Sequence, residues 1–254
     1  MGRVFVTGDK HGSFNFEDYP KIRMMCMNLN TTIDDVMIVL GDHGIHYDEG
    51  RHDAECKKML GEYPITFVMI RGNHDMRPCS DWERCHIEND TMVGTFIVDP
   101  VAKNILYTEE YGWYWFNDIP VFVAGGAYSA DKFYRLEMQK VGHRGFLWFE
   151  DEQLNDDERK AAEELLFNYD HGERPFVIMT HTCPQRFTPT EMFIPQVDQT
   201  SVDRTMEIWF DDIYDRIWKE NKDLARWYCG HWHTDKTDDM VRFVFHDIIE
   251  LGDA

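Results

Sequence analysis

At 254 residues, 43% hydrophobic and 14% aromatic, the chain can bury a sizeable core, which excludes disorder; no composition break divides it, and one domain over residues 1–254 is expected. Lys and Arg number 26 against 47 Asp and Glu, a net charge of −21 that repels polyanions, and no basic stripe offsets it, so extended nucleic-acid binding is not expected. Six scattered cysteines form no CxxC pair and read as reduced thiols; no apolar stretch nears the roughly 20 residues that span a bilayer, and the N-terminal residues run straight into a strand, so a soluble cytoplasmic protein without a membrane partner is expected.

In chain order, Arg3–Thr7 reads as a buried strand, Glu17–Leu29 as a helix, Asp35–Leu40 as a strand, Arg51–Leu60 as a helix and Thr66–Arg71 as a strand. The middle differs: Thr95–Val101, Asn104–Thr108, Gly112–Phe116 and Pro120–Ala124 read as antiparallel strands joined by tight turns such as Asn117–Asp118. The aromatic run Tyr111–Phe116 reads as core and cross-strand packing. Helix Asn155–Asn168, strand Phe176–Thr180, helix Ser201–Glu220 and strand Ala225–Cys229 follow, with Pro184–Thr200 as a loop near the site. Val241–Phe245 and Asp247–Leu251 close the chain as an expected hairpin pair. The alternation of strands and helices places the fold in the α/β class.

Five polar clusters each follow a predicted strand: Gly8-Asp9-Lys10-His11-Gly12, Gly41-Asp42-His43-Gly44, Gly72-Asn73-His74-Asp75, Thr180-His181-Thr182 and Gly230-His231-Trp232-His233. One His beside a Gly is commonly a turn or a hydrogen-bonded core histidine, but five such clusters at the same position relative to a strand share a cause. Divalent ions such as Mn²⁺, Fe²⁺ and Zn²⁺ accept mixed imidazole and oxygen ligands, and a carboxylate can bridge two ions whereas imidazole cannot. Glycine before a ligand permits a sharp turn and leaves room for metal and phosphate.

The ordered set D-x-H, G-D, G-N-H-D, strand-end His and G-H-x-H, spanning residues 9 to 233, resembles the calcineurin-like metallophosphoesterases. The resemblance implies an α/β four-layer sandwich, two mixed sheets flanked by helices, with a metal site at the C-terminal strand ends. It implies two divalent ions, drawn from manganese, iron, zinc or magnesium: Asp9, His11 and His233 on the first, Asn73, His181 and His231 on the second, and Asp42 bridging. It further implies attack of a metal-bound hydroxide on the phosphorus of a phosphomonoester or phosphodiester, with His74 unligated and serving as general acid. Two divalent ions outweigh Asp9, Asp42 and a bridging hydroxide, so the centre stays positive and attracts a small phosphorylated substrate even on an acidic protein.

The chain departs from the family pattern at Ile45, where many relatives carry an Asp that orients the catalytic His; Asp75, His46 and Asp48 are the candidates to replace it. Relatives that act on phosphoserine and phosphothreonine follow that Asp with Arg and Gly, and His46 and Tyr47 here count against that class, although Arg71 before Gly72 is similar to them. Gly-Asp-x-Gly, followed by Gly125-Gly126-Ala127-Tyr128-Ser129-x-Asp131-Lys132-x-x-x-Arg135, resembles a bacterial and phage-type branch. Lys132 or Arg135 could hold a substrate phosphate, Arg by its two-pronged fork, or could equally pair with acids in a surface turn. Two other functions stay open beside hydrolysis of a small ester: a nuclease acting on short or single-stranded nucleic acid with the same metals, and a scaffold that keeps the fold without turnover.

Overall fold

The computed structural model describes residues 1–11, 18–143, 145–172 and 174–252; Gly12 of the first cluster and Glu17 at the expected helix start lie outside the described residues. Runs of Val, Ile, Phe and Met form four of the five strands that carry the site, and each of the four is buried along its whole length: β1 (Val4–Thr7), β2 (Val36–Leu40), β3 (Thr66–Ile70) and, later in the chain, β9 (Phe176–Thr180). Unbroken apolar runs of this kind belong to parallel strands covered on both faces. Between β3 and β9 lie β4 (Arg84–Glu88), β5 (Met92–Val98), β6 (Ile105–Tyr107), β7 (Tyr111–Phe116) and β8 (Ile119–Ala124). The last strands are β10 (Leu224–Cys229), β11 (Lys236–Asp238), β12 (Val241–Phe243) and β13 (Ile249–Glu250).

The five helices of the described residues are α1 (Asp18–Leu29), α2 (Arg51–Leu60), α3 (Lys132–Lys140), α4 (Asp156–Asn168) and α5 (Thr205–Lys219). Asn155 starts α4 through a capping box with Glu158, which satisfies otherwise orphaned N–H groups of the first turn. In α5 the buried Met206, Trp209, Phe210, Ile213, Tyr214 and Ile217 recur at helical spacing and make one apolar stripe.

The strands form a single hydrogen-bonded sheet in the order β11-β12-β10-β9-β8-β7-β5-β6-β3-β2-β1-β13, with β4 beside β5. The expected two sheets are thus linked, because β5 and β7 pair across the middle. The sheet is mixed: β1, β2, β3 and β6 run parallel, as do β8, β9 and β10, while β5, β6, β7 and β8 are joined by antiparallel pairs. The expected C-terminal hairpin does not form. Instead β12 lies between β10 and β11, and β13 crosses to pair with β1.

Three core clusters result. Phe5, Met37, Val39, Phe67 and Met69 meet Ile22 and Cys26 of α1 and Cys56 and Leu60 of α2. Val6, Ile38, Leu40 and Ile70 from one half of the sheet meet Val123, Met179 and Tyr228 from the other. Phe122, Ile178 and Trp227 meet Leu166 of α4 and Phe210 and Ile213 of α5. The apolar interior between the two sheet halves holds the ends of β1, β2, β3, β9 and β10 together, and all five polar clusters leave from those ends. No helix among the described residues is long and apolar enough to cross a membrane.

Candidate metal centre

Hydrogen bonds tie the cluster loops to one another across the two sheet halves. His11 N–H donates to the Asp42 carbonyl at 2.7 Å, His231 N–H to Asp9 Oδ2 at 2.8 Å, His74 N–H to Asp42 Oδ1 at 2.8 Å and Gly230 N–H to the His181 carbonyl at 2.9 Å. Asp75 Oδ2 accepts from Gly72 N–H at 2.9 Å, and its Oδ1 lies 3.2 Å from His43 Nδ1, which binds the second cluster to the third.

Asp9, His11, Asp42, His231 and His233 all hold left-handed backbone, with φ from 25° to 66°. L-residues enter that region at a cost of about 1–2 kcal/mol each, and such residues collect where function demands a geometry. Gly41 is also left-handed, at φ 86°, and a Cβ on it would lie 2.2 Å from His181 Nδ1; a Cβ on Gly72 would lie 2.1 Å from Asp42 Oδ1. The glycines therefore make room for the neighbouring ligand side chains themselves, a tighter demand than room for metal and phosphate.

The side chains leave acceptors facing acceptors. His181 Nδ1–H donates to the Leu40 carbonyl at 2.7 Å, so in the neutral ring Nε2 carries a lone pair. That nitrogen lies 2.9 Å from Asn73 Oδ1 and 3.5 Å from Asp42 Oδ1. Asn73 is oriented by its amide N–H donating to Ser129 Oγ at 2.9 Å, which turns Oδ1 toward His181 and, at 3.1 Å, toward His231 Nδ1. Asp9 Oδ1 is buried without a hydrogen-bond partner among the described residues and stands 3.9 Å from His233 Nε2. His233 Nε2 in turn is 2.9 Å from His11 Nε2. Crowded lone pairs of this kind require a cation or a proton between them.

Ligand atoms of Asp9, His11 and His233 lie within 4.8 Å of one another, as do those of Asp9, Asp42 and His181. The residues fit divalent ions: imidazole nitrogens and carboxylate oxygens converge, and an orphaned carboxylate oxygen is among them.

The electrostatics record the same crowding. Burial, reinforced by Asp42, pushes Asp9 up to about 8. Burial opposes a charge on His181, but Asp42 and Asp9 override it and raise the ring to about 9. Burial would also raise Asp42, yet His181 and His74 hold it well below the usual carboxylate range.

A cavity of about 430 Å³ opens over these residues, lined by His11, Asp42, Asn73, His74, His231 and His233 on one side. The calcineurin-like phosphoesterase family model matches residues 2–235. The chain belongs to that family. Comparison with curated proteins gives no match. As a calcineurin-like phosphoesterase the chain is a hydrolase of phosphate esters with residues placed to bind metal.

Against that membership, none of the three replacements considered for the missing Asp touches the His74 ring. Asp75 supports the Gly72 and His43 backbones, His46 Nε2–H donates to the Arg77 carbonyl at 3.3 Å, and Asp48 accepts from Gly50 N–H at 2.7 Å. Arg135 reaches the ring instead: its Nη2 donates to His74 Nε2 at 3.1 Å, while Nε donates to both Asp131 oxygens at 2.8 Å and Nη1 to Tyr47 Oη and the Leu147 carbonyl at 3.2 Å. Arg135 thus both lines the cavity and pairs with a nearby acid. Burial first, then Arg135, pushes His74 down to about 4 against the pull of Asp42.

Lys132 is not on the cavity wall; its ammonium sits 4.1 Å from the Trp148 ring centroid. Arg71 turns away to Glu110 at 2.6 Å and the Glu152 carbonyl at 3.0 Å. Ser129 and Tyr47 were noted in the sequence, one in the Gly125–Arg135 motif and one beside His46, but without a role at the site; Glu207 carried no signal.

Proposed function

We propose that the protein hydrolyses a small phosphate ester with two divalent metal ions. The observation that carries this reading is the convergence of Asp9, Asp42 and His181 with a buried, partnerless Asp9 oxygen at its centre. Asp9, His11 and His233 would hold one ion, Asn73, His181 and His231 the other, and Asp42 would lie between. When bound, the ions supply Lewis acidity toward the phosphate and lower the pKa of water from 15.7 to about 7, so that a nucleophile is available at neutral pH. The amide of Asn73 gives an oxygen ligand without a further negative charge, which preserves that acidity.

His74 is the proton donor in this reading, and Arg135 sets its state. With Nε2 accepting from Arg135, the neutral ring carries its proton on Nδ1, so donation from Nε2 requires that Arg135 release it. A phosphate entering the cavity adds negative charge beside both groups, favours the imidazolium and competes for the guanidinium fork. The substrate then arms its own general acid, a contribution of roughly 10²–10⁴-fold to leaving-group departure.

The acidic charge favours a small substrate over a nucleic-acid strand, and a cavity of about 430 Å³ has room for one. The three core clusters are what the family's helix–sheet–sheet–helix layering would produce; from the sequence alone we propose a cytoplasmic location and a likeness to the bacterial and phage-type branch.

The test is elemental analysis of protein reconstituted with manganese, iron or zinc, together with turnover of p-nitrophenyl phosphate, bis(p-nitrophenyl) phosphate and an alkyl phosphate. Two ions per chain are expected, with Asp42→Asn weakening both and His233→Ala emptying mainly one. His74→Ala should keep the ions and lose far more on the alkyl ester than on nitrophenyl esters, whose leaving groups need no proton. Saturation at one ion, or equal losses on both ester types, would overturn the corresponding part.

A further inference from the structure

The far wall of the cavity differs from the ligand side. Met192, Phe193 and Ile194 of the 184–200 loop face it together with Trp232, and the Phe193 and Trp232 rings lie 6.0 Å apart at 37°. Arg204 stands over Phe193, its guanidinium carbon 4.9 Å from the ring centroid. Two polar atoms of residues on this cavity have no hydrogen-bond partner among the described residues: Glu207 Oε2 and Trp232 Nε1. Glu207 is only 3% exposed, and its other oxygen, Oε1, accepts from Thr182 Oγ1–H at 2.8 Å, which fixes the carboxylate in place. A buried carboxylate oxygen and a buried indole N–H left unpaired each cost stability, and native proteins keep such atoms chiefly where something else completes them.

We propose that this wall is a subsite for the organic group of the ester, and that the group is a planar, largely apolar heterocycle with an N–H donor, the chemistry of a nucleobase. Resting on the phosphoesterase reading, it places the ring among Phe193, Trp232 and Ile194, where stacking is sequence-tolerant. Glu207 Oε2 accepts from the ring's N–H, and Trp232 Nε1 donates to a ring nitrogen or carbonyl. A sugar phosphate offers hydroxyls but no planar ring to lie against Phe193 and Trp232, and a nitrophenyl group offers no N–H to Glu207. The volume of about 430 Å³ lies within the range of pockets that hold a small organic ligand.

Two measurements test this. The first is calorimetric binding of guanosine 5′-monophosphate and of ribose 5-phosphate to wild type, Glu207→Gln and Trp232→Phe, each with its metal content measured. Wild type should prefer the nucleotide by at least tenfold. Glu207→Gln, which keeps the size and the Thr182 contact, should reduce that preference by roughly 10-fold, the worth of a hydrogen bond lost together with the donor it leaves unpaired. Trp232→Phe keeps a ring and should reduce it less. The second is the ratio of kcat/KM for thymidine 5′-(p-nitrophenyl phosphate) to that for bis(p-nitrophenyl) phosphate, which should fall toward one in Glu207→Gln. Equal binding of nucleotide and sugar phosphate by wild type, or a nucleotide preference that Glu207→Gln leaves intact, overturns the subsite whether or not any ester is turned over. Nucleotide binding that depends on Glu207, without turnover of any ester at two ions per chain, supports the subsite and sinks the phosphoesterase reading.

Discussion

Replacing Gly41 by Ala adds one methyl group at the most crowded point of the centre. The residue sits at φ 86°, and the new Cβ would lie 2.2 Å from His181 Nδ1 and 2.6 Å from its Cγ. Left-handed backbone costs Ala about 1–2 kcal/mol more than Gly, and forcing a buried ring back by about an ångström costs a further 1–3 kcal/mol. That retreat also strains the 2.7 Å bond from His181 Nδ1 to the Leu40 carbonyl. A total loss of about 2–5 kcal/mol corresponds, for a chain of this size, to a melting temperature lower by roughly 4–20 °C. Because His181 is a proposed ligand of only one ion, occupancy should drop toward one ion per chain, whereas Gly142→Ala, a left-handed glycine with open space around it, should cost the backbone increment alone. Scanning calorimetry and elemental analysis on both variants decide the matter. If Gly41→Ala melts no lower than Gly142→Ala and keeps both ions, the claim that steric fit at His181 fixes the site is wrong.

His46 accepts from Lys57 Nζ at 3.4 Å and donates to the Arg77 carbonyl, and burial, then Lys57, lowers it to about 4. An unfolded His titrates near 6.5, so the unfolded chain binds more protons below that pH; stability is full above pH 6.5 and falls by up to about 3 kcal/mol as pH drops to 4. Urea midpoints at pH 7 and pH 5 should show that loss, and His46→Gln should flatten it only in part, because buried His43, pushed down to about 3, acts in the same direction. Arg135→Lys keeps the charge but not the fork that spans His74 and Asp131; kcat/KM for the best small ester should fall about 10- to 100-fold with metal content unchanged. Equal activity in Arg135→Lys would remove Arg135 from the site's chemistry.

The site was legible in the sequence because its information is local. A strand followed by Gly-Asp or Gly-Asn-His writes both the element and its cargo into a few consecutive residues, and β1, β2, β3, β9 and β10 fall within a residue or so of their expected bounds. Elements without a pattern of their own were missed. α3 buries no residue and so adds nothing to the cores, and β4 alternates only between exposed and half-buried positions, drawing its strand geometry from β5. The Ser201 start of α5 gave way to Thr205, whose N–H is taken by Asp203 Oδ1 at 2.9 Å. The C-terminal strands were expected to pair with each other, but pairing partners are a property of the whole sheet, and β12 found β10 while β13 found β1. The Arg135–His74 contact joins residues 61 positions apart and had no local signal.

The left-handed residues show how the fold sustains such a site. Elsewhere among the described residues the non-glycine residues with positive φ are Asn30, Glu49, Asn117, Asp118, Asn221 and Asp239, nearly all Asn or Asp, whose short side chains tolerate that backbone in turns. At the centre three of the five are His, which gains nothing comparable from its own side chain. The strain there is held by neighbours: the Asp42 backbone carbonyl accepts from His11 N–H, the Asp42 carboxylate from His74 N–H, and the Asp9 carboxylate from His231 N–H. The two carboxylates proposed to meet the ions therefore each brace a neighbouring cluster as well. Removing either carboxylate frees one backbone N–H of another cluster, so stability and metal affinity at Asp9 and Asp42 are coupled. At His74 they are separable, because its ring meets Arg135 and the Asn73 amide while only its backbone braces the loop.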